Sequence, residues 1–251
     1  MAIDVYPKTR LWLERLAAGR VRLDDEQTHY LSHVRRLGVG DEVLLLGGDG
    51  QAARAAIVHG EPGALWLEVA SPTPQPPPAL ELSIALATPK GERSDWAVEK
   101  LTELGVARIV WLATARGVVT PRQGGHREER WQRLALAAAQ QAGRTRAPEL
   151  CGPMPLCVAL ARPVELKLVA DPSGEPLVTW LGRSLGGRAA APRSAQVLIG
   201  PEGGFCADEL MQAAQAGYTA VGLGGLILRV ETAAVAAAAV LAGVAVPSAS
   251  A

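Results

Sequence analysis

The segment VLIGPEGGFCADE, residues 197–209, decides the fold class of this chain. Its first three residues are apolar and mostly β-branched, as is typical of a short buried strand. Gly200 and Pro201 end that strand, and the glycines at 203 and 204 permit unusual backbone angles or a close approach by a ligand. The acidic pair that closes the segment is typical of the first turn of a helix. A strand, a glycine loop and a helix in this order form a ligand-binding edge in α/β proteins.

The charge of this loop indicates what it binds. The loop has neither the dinucleotide-binding glycine spacing nor the lysine that follows the glycines of a phosphate-binding loop. It carries Glu202, whose carboxylate would repel phosphate. A ligand with hydroxyls, amines or a positive charge therefore fits it better. A plain turn followed by a capped helix explains the same spacing, and the segment alone leaves both interpretations open.

Composition excludes several classes of protein. A chain of 251 residues, 49% of them hydrophobic, can form one large or two modest domains with a sizeable core. The formal net charge of zero argues against a histone-like protein. The chain does not start like a signal peptide, and its longest apolar stretch, residues 232–246, is shorter than the roughly 20 residues that span a bilayer. Three cysteines without metal-ligand spacing fit a reduced, cytoplasmic protein with no metal site and no membrane contact.

Positive charge is concentrated in residues 114–146. This segment holds seven arginines against two glutamates, a local excess of five positive charges. The arginines are at positions 116, 122, 127, 130, 133, 144 and 146. Such a patch can neutralise nucleic-acid phosphates, although a solvated helix face explains the same pattern.

The chain divides at a proline-rich segment, Ser71–Pro78, which has five prolines in eight residues and cannot form a helix or a central strand. Before it, several short strands with glycine turns predict a small β-barrel. After it, strands alternate with helices, which predicts an α/β domain with a mostly parallel sheet. The predicted domains are residues 1–72 and 80–251, with a stiff linker at 73–79. In the second domain, three strands end in candidate ligand loops, at residues 171–174, 200–204 and 222–232.

Three blocks in the second domain form a recognisable pattern: PKGERSDWAVEKLTELGV (89–106), LIGPEGGFCADEL (198–210) and LGGLILRVETA (223–233). Together they resemble the 16S ribosomal RNA uridine-N3 methyltransferases, the ribosomal small subunit methyltransferase E family of the SPOUT superfamily. Residues 29–41 resemble the PUA-like RNA-binding barrel of the same family. The resemblance covers nearly the whole chain.

The resemblance implies an α/β fold of SPOUT type. A trefoil-knotted, mostly parallel domain binds S-adenosylmethionine, and a small PUA-like β-barrel precedes it. It also implies 16S ribosomal RNA of the small subunit as the substrate, and a homodimer with the alanine-rich final helix at the interface. Burial of that helix inside one subunit is the alternative. Two further functions stay open: another SPOUT activity, on ribose 2′-oxygen or on guanosine, and a non-catalytic RNA-binding assembly factor.

The resemblance places the cofactor against three groups of residues. They are Asp171 and Pro172; Gly200, Pro201, Glu202, Gly203 and Gly204; and Leu223, Gly224, Ile227, Leu228, Thr232 and Ala233. Ile227 and Leu228 fit an adenine pocket or an ordinary core. Thr232 either bonds the cofactor or caps the final helix, and the sequence favours the cap.

The remaining assignments concern RNA and catalysis. The catalytic candidates are Arg144, Arg229 and Glu231, the last two of which could also pair with each other. The candidate RNA contacts are His29, Tyr30, Arg35, Arg36, Lys90, Arg93, Arg116 and Arg146. Lys90 and Arg93 fit either a phosphate or a partner subunit.

The chain departs from the family pattern at several positions. The family usually has E-A-A-E-Q-S-x-R where this chain has residues 137–144, so Ala137, Gln140 and Ala142 replace two acidic residues and a serine. In the last block, Gly225 and Leu226 replace the usual proline and arginine, and Val230 replaces a threonine. These departures bear on RNA contacts and catalysis more than on cofactor binding.

Overall fold

The computed structural model describes residues 7, 9–61, 64–117, 125–186 and 191–244. Contacts between residues divide the chain into two units. The first comprises residues 1–77 together with 139–147, and the second comprises residues 78–138 and 148–251. The sequence assigned all of 80–251 to the second domain, so residues 139–147 group differently from that prediction.

Within the described residues, the first unit contains a six-stranded, mostly antiparallel sheet with strand order β1-β3-β4-β5-β2 and with β6 on β4. The strands are β1 Arg10–Leu13, β2 Gly19–Arg22, β3 Glu42–Gly47, β4 Gln51–Glu61, β5 Ala64–Val69 and β6 Thr73–Pro74. The glycine-rich turn after β3 joins it to β4, as the sequence predicted. The core of this unit includes the fully buried side chains of Leu31, Leu45, Ile57 and Leu67.

The sequence of residues 24–34 predicts a helix, and in the structure this helical segment changes type along its length. Helix α1, Asp25–His29, starts with a capping box between Asp24 and Gln27, and a π-helical turn, Tyr30–Val34, follows it. The wider turn ends with a hydrogen bond of 2.9 Å from the Arg35 amide to the Tyr30 carbonyl. Apolar periodicity does not separate the two helix types, so the sequence predicted only the helical character.

The proline-rich segment begins inside the first unit. Its residues Thr73 and Pro74 form β6, which pairs with Gln51 and Ala52 of β4. Proline lacks the amide donor that a central strand needs, which is why it occurs at a sheet edge. The segment was predicted as a spacer throughout, and its first residues instead take part in the sheet.

The second unit contains a parallel sheet with strand order β12-β10-β11-β7-β8-β9. Its strands are β7 Glu81–Ala87, β8 Arg108–Ala113, β9 Glu149–Pro155, β10 Leu166–Pro176, β11 Ser194–Ile199 and β12 Thr219–Gly222. Its helices are α2 Arg93–Glu103, α3 His126–Ala142, α4 Leu156–Leu160, α5 Leu177–Leu185, α6 Ala207–Gln215 and α7 Val230–Val244. The last four residues of α3, 139–142, group with the first unit. The predicted α/β class with a mostly parallel sheet is therefore confirmed.

The sequence predicts the final helix at Thr232–Leu241, and in the structure this helix, α7, starts two residues earlier, at Val230. Thr232 consequently lies inside the first turn, and its interpretation as the helix cap is wrong. The helix buries Ala234, Ala237, Ala238 and Leu241 in the core of the second unit. The small side chains of this face are thus used within the subunit.

No helix among the described residues is both long and apolar enough to cross a membrane.

Cys151 and Cys157 are expected to differ in their reaction with iodoacetamide at pH 8. Cys157 is exposed, whereas burial of Cys151, together with the hydrogen bond that it donates to Glu149, raises the pKa of its thiol to about 11. A raised pKa leaves less of the nucleophilic thiolate at a given pH, so Cys151 should react at least about tenfold more slowly than Cys157. Peptide mass spectrometry over time measures both rates, and equal rates would contradict the burial of Cys151.

Candidate cofactor pocket and RNA-contact residues

A bulge near the carboxyl end of β10 and the loops that follow β11 and β12 line a cavity of about 340 Å³ at this edge of the parallel sheet. Every residue that the sequence assigned to the cofactor lines it, with the exception of Thr232. Thr232 faces a separate cavity beside Glu92, Arg93, Trp96 and Glu231. The lining residues that the sequence did not identify are Ala170, Ile199, Phe205, Leu226 and Val230. Each of them lies within two residues of a cofactor residue that the sequence did identify. Proximity along the chain was therefore the signal that could have found them.

The glycine loop after β11 follows a path that only glycine adopts readily. Gly204 has a φ of 67°, in the left-handed region, and its amide donates to the carbonyl of Pro201 at 2.8 Å. Gly200 leaves little room for a side chain, because an added Cβ would lie 3.1 Å from both the ring and the backbone nitrogen of Phe205. The loop leads directly into α6, whose first turn carries Asp208 and Glu209.

The loop at residues 171–174 is a bulge within β10. The pairing of β10 with β12 shifts register between Ala170 and Glu175. Asp171 stabilises the bulge, because its Oδ1 accepts hydrogen bonds from the amide of Ser173 at 2.9 Å and from the hydroxyl of Ser173 at 2.5 Å. Gly174 then passes against the backbone of β12.

The third loop contributes exposed apolar side chains at the cavity rim. Leu226 is 83% exposed and Ile227 is 87% exposed, which excludes the interpretation of Ile227 as ordinary core. Leu228 is partly buried and packs against the core of the second unit. This loop therefore presents an apolar rim to whatever occupies the cavity.

The catalytic candidates of this loop do not pair with each other. The carboxylate of Glu231 is buried and lies 3.8 Å from the Arg93 guanidinium, measured from Nε to Oε1. Arg229 is exposed, and its carbonyl accepts the amide of Ala233 at 2.8 Å. Arg93, predicted as a phosphate contact, is thus placed beside Glu231.

Arg116 contacts the glycine loop. Its Nη1 lies 2.6 Å from the carbonyl oxygen of Gly203 and 3.5 Å from that of Phe205. The sequence predicted an RNA phosphate as its partner. The contact joins residues 87 positions apart, so no local pattern could have indicated it.

The arginines of α3 are only partly available to a nucleic acid. Arg130 pairs with Asp95 at 2.8 Å, and the guanidinium of Arg127 lies 5.8 Å above the ring of Trp131. Arg133 is exposed on the same helix. Arg122 lies outside the described residues. The sequence therefore overestimates how much positive charge on this helix is available to bind a nucleic acid.

Four of the predicted RNA contacts lie around the π-helical turn of the first unit. His29 stacks on His33 with 4.8 Å between ring centroids, and both are exposed. Tyr30 packs against the core of this unit, and Arg35 donates to the hydroxyl of Thr9 at 3.3 Å. Arg36 has a φ of 57°, which is uncommon outside glycine.

Two further arginines belong to the first unit through the segment 139–147. Arg146 places its guanidinium against the turn at Gly50. Arg144 is half-buried, and burial lowers the pKa of its guanidinium. Lys90, in the second unit, is exposed at the end of β7. The described residues contain no group of three or more histidine, cysteine or acidic side chains arranged to hold a metal ion.

Gln140 closes the exposed edge of β1. Its Oε1 accepts the Trp12 amide at 3.3 Å, and its Nε2 donates to the Arg10 carbonyl at 3.0 Å. A glutamate, which the family usually has here, could accept but could not donate. The departure at this position therefore completes a pair of backbone hydrogen bonds.

We expect Gln140→Glu to lower the free energy of unfolding by about 1 kcal/mol, because the Arg10 carbonyl loses its donor. Urea unfolding at neutral pH measures the change. Gln132→Glu is the matched control, since Gln132 is exposed on the same helix and the same charge is added there. Equal midpoints for the wild type and Gln140→Glu would show that the donated bond contributes nothing.

Known proteins resemble this chain over nearly its whole length. Residues 76–242 match the RNA methyltransferase domain family, and residues 23–70 match the RNA methyltransferase PUA domain family. The ribosomal RNA small subunit methyltransferase E of Synechocystis sp. is 33% identical over 230 residues, which are 88% of this chain and 72% of the relative. The protein of the same name from Mycobacterium bovis is 31% identical over 224 residues, or 84% of this chain and 82% of the relative.

Two solved structures share the fold. The ribosomal RNA small subunit methyltransferase E from Neisseria gonorrhoeae, bound to S-adenosyl methionine, aligns with a TM-score of 0.79 at 28% identity. A methyltransferase from Legionella pneumophila, in complex with the bound cofactor SAM, aligns with a TM-score of 0.78 at 27% identity. Each alignment covers 94% of this chain and 97% of the other.

These matches confirm the predicted family and its combination of a PUA domain with an α/β methyltransferase domain, whereas the trefoil knot stays a prediction. The relatives with more than 30% identity are covered by this chain over more than two thirds of their length. The chain therefore belongs to the ribosomal RNA small subunit methyltransferase E family.

Proposed function

We propose that this protein transfers a methyl group from S-adenosylmethionine to N3 of a uridine in 16S ribosomal RNA of the small subunit. The observation that carries the proposal is the cavity formed by three loops at the ends of β10, β11 and β12, inside the domain that matches the RNA methyltransferases. A second SPOUT activity would use the same cavity, so the choice of uridine N3 rests on the family.

The cavity suits S-adenosylmethionine chemically. Leu223, Ile227 and Leu228 offer an apolar surface of the kind that holds an adenine ring. The glycine loop offers backbone groups at close range, because three of its residues lack a side chain. Glu202 and Asp171 place carboxylates in the lining, where an amine, a ribose hydroxyl or a positive charge can be neighbours. When bound, S-adenosylmethionine supplies a methyl group that its positively charged sulfur makes electrophilic.

The protein's own contribution to the reaction is alignment and charge. Holding the acceptor nitrogen in line with the methyl group makes the transfer effectively unimolecular. The N3 of uridine carries a weakly acidic proton, so a nearby guanidinium favours the deprotonated base by stabilising its negative charge. Arg229 is our first candidate for this role, because it is exposed in the loop that lines the cavity. Arg144 is the second candidate, through the resemblance to the family.

Glu231 fits a supporting role better than a reacting one. Its side chain is 8% exposed, and its carboxylate lies beside Arg93 at the start of α7. An anion in the first turn of a helix is favoured by the helix dipole. We propose that this pair fixes the beginning of α7, and with it the loop that carries Arg229.

RNA binding falls to the first unit and, in the second unit, to Lys90 and the exposed basic residues of α3. The first unit contains the stretch that matches a PUA domain of RNA methyltransferases. We also propose that the protein is a homodimer and that it acts in the cytoplasm, where small subunits are assembled. Light scattering that gives a monomer at micromolar concentration would contradict the dimer.

The function is tested by incubating the protein with labelled S-adenosylmethionine and small ribosomal subunits that lack the modification. We expect label in 16S RNA, and 3-methyluridine after nucleoside mass spectrometry. A 2′-O-methylated nucleoside or a methylated guanosine would assign another SPOUT activity. Binding to the subunit without any transfer would favour an assembly factor.

A further inference from the structure

A short turn after β8 is tied to the beginning of α6 at two points. The turn closes with a hydrogen bond of 3.1 Å from the Gly117 amide to the Thr114 carbonyl. Between these residues, the amide of Ala115 donates to Oε1 of Glu209 at 2.8 Å. The other oxygen of this carboxylate accepts the Cys206 amide, also at 2.8 Å. Glu209 is only 7% exposed, so the first tie is one charge-assisted hydrogen bond to a carboxylate that the start of α6 holds in place.

The second tie is made by Arg116 itself. Its guanidinium donates to the Gly203 carbonyl at 2.6 Å and reaches the Phe205 carbonyl at 3.5 Å. Both of these residues line the cavity. A guanidinium that donates to a carbonyl forms a stronger bond than a neutral donor does.

This contact restrains the two adjacent glycines, which are the most flexible part of the loop. Gly203 and Gly204 lack side chains, and glycine loses more conformational freedom on ordering than any other residue. A loop of this kind would have to be ordered by its ligand, at a cost in affinity, unless the protein orders it beforehand. Glu209 holds the turn at 114–117 independently of Arg116. The backbone of Arg116 is therefore fixed, and its guanidinium extends from a defined position.

We propose that Arg116 is a positioning residue of the cofactor site, which holds residues 203–205 in their binding conformation, and that it does not contact RNA phosphate. The inference rests on the proposed function, since it takes the cavity to be the S-adenosylmethionine site. Arg116 acts through the backbone of the loop and has no assigned contact with the reacting atoms.

The experiment compares Arg116→Ala, Arg116→Lys and Arg133→Ala. Arg133 is the matched control, because it is exposed on α3 and its replacement removes the same charge away from the loop. Isothermal titration calorimetry measures affinity for S-adenosylmethionine in the absence of RNA. Filter binding at several salt concentrations measures affinity for a 16S fragment. Thermal unfolding without ligand verifies that each variant is folded at the assay temperature.

We expect Arg116→Ala to bind S-adenosylmethionine about tenfold more weakly, the scale of losing one hydrogen bond to a charged group. The KM for the cofactor should rise by a similar factor, with kcat at saturating cofactor near that of the wild type. Arg116→Lys should recover part of the affinity, because an ammonium can still donate to the Gly203 carbonyl. RNA affinity and its salt dependence should stay those of the wild type. A role limited to global stability would change the unfolding temperature without this separation of KM from kcat.

Arg133→Ala should behave in the opposite way, with unchanged cofactor affinity and a salt slope smaller by about one if Arg133 contacts a phosphate. The inference is overturned if Arg116→Ala binds the cofactor like the wild type, or if it loses RNA affinity and salt dependence with the cofactor affinity intact. A wild-type protein that binds no S-adenosylmethionine would instead overturn the proposed function itself, so the two failures are distinguishable.

Discussion

Gly174→Ala is expected to weaken S-adenosylmethionine binding by about a hundredfold, which corresponds to about 2.7 kcal/mol and lies within the strain that overpacking a packed site causes. An added Cβ would lie 2.5 Å from the amide nitrogen of Val221 and 2.6 Å from the carbonyl carbon of Ala220. Both atoms belong to the backbone of β12, so no side chain can move aside. The bulge of β10 must therefore shift away from β12, and it carries Asp171 and Pro172 out of the cavity lining.

Calorimetry measures this affinity, and urea unfolding measures the stability, which should fall by about 1–3 kcal/mol as for other overpacked sites. Gly182→Ala is the matched control, because Gly182 lies in α5 with open space around an added Cβ. That variant should bind normally and should be as stable as the wild type or slightly more stable. A folded Gly174→Ala variant with wild-type affinity would show that the bulge does not form part of the site.

Arg229→Ala is expected to lower the rate of methyl transfer by about a hundredfold or more, the effect of removing one group that stabilises developing charge. The side chain is exposed in the loop between Leu228 and Val230, which both line the cavity. Arg229 itself is not among the residues that line the cavity, so affinity for S-adenosylmethionine should change little. Single-turnover transfer to small subunits with saturating cofactor measures the rate.

Arg193→Ala is the control for this experiment, since Arg193 is an exposed arginine just before β11. It should transfer methyl groups at the wild-type rate. Arg144→Ala, in the same assay, tests the second candidate for this role. Normal turnover in Arg229→Ala would remove Arg229 from catalysis, and a large loss in Arg144→Ala alone would assign the charge-stabilising role there.

The sequence predicted the strands and loops that build the cavity because each is marked locally. Apolar runs such as Val197–Ile199 and Leu166–Ala170 end at glycine, proline or aspartate, and parallel strands bring their ends to one edge. The elements that it missed lack such marks. Strand β9 contains Gly152 and Pro153, a pair that is typical of a turn. The proline is tolerated in the sheet because β9 is an edge strand. Helix α5 follows Pro176 and contains Gly182, so its apolar face was not recognised.

The side-chain partners of charged residues were the least predictable part of the site. Arg93, Arg116 and Arg130 all looked like free positive charge in the sequence. In the folded chain each has a protein partner, namely Glu231, the Gly203 carbonyl and Asp95. These partners are distant in sequence, and local patterns carry information only about neighbours along a helix or a strand.

A chimaera that exchanged only residues 1–77 for those of a relative would leave residues 139–147 behind, although their contacts lie with the exchanged part. Gln140 would then face a foreign strand in place of the backbone of Arg10 and Trp12. The first unit is therefore discontinuous in the gene, and recombination with a single crossover near residue 77 would separate its two parts. Transfer of the unit that contains the PUA-matching stretch between family members requires two exchanges at once, or a matched residue at position 140.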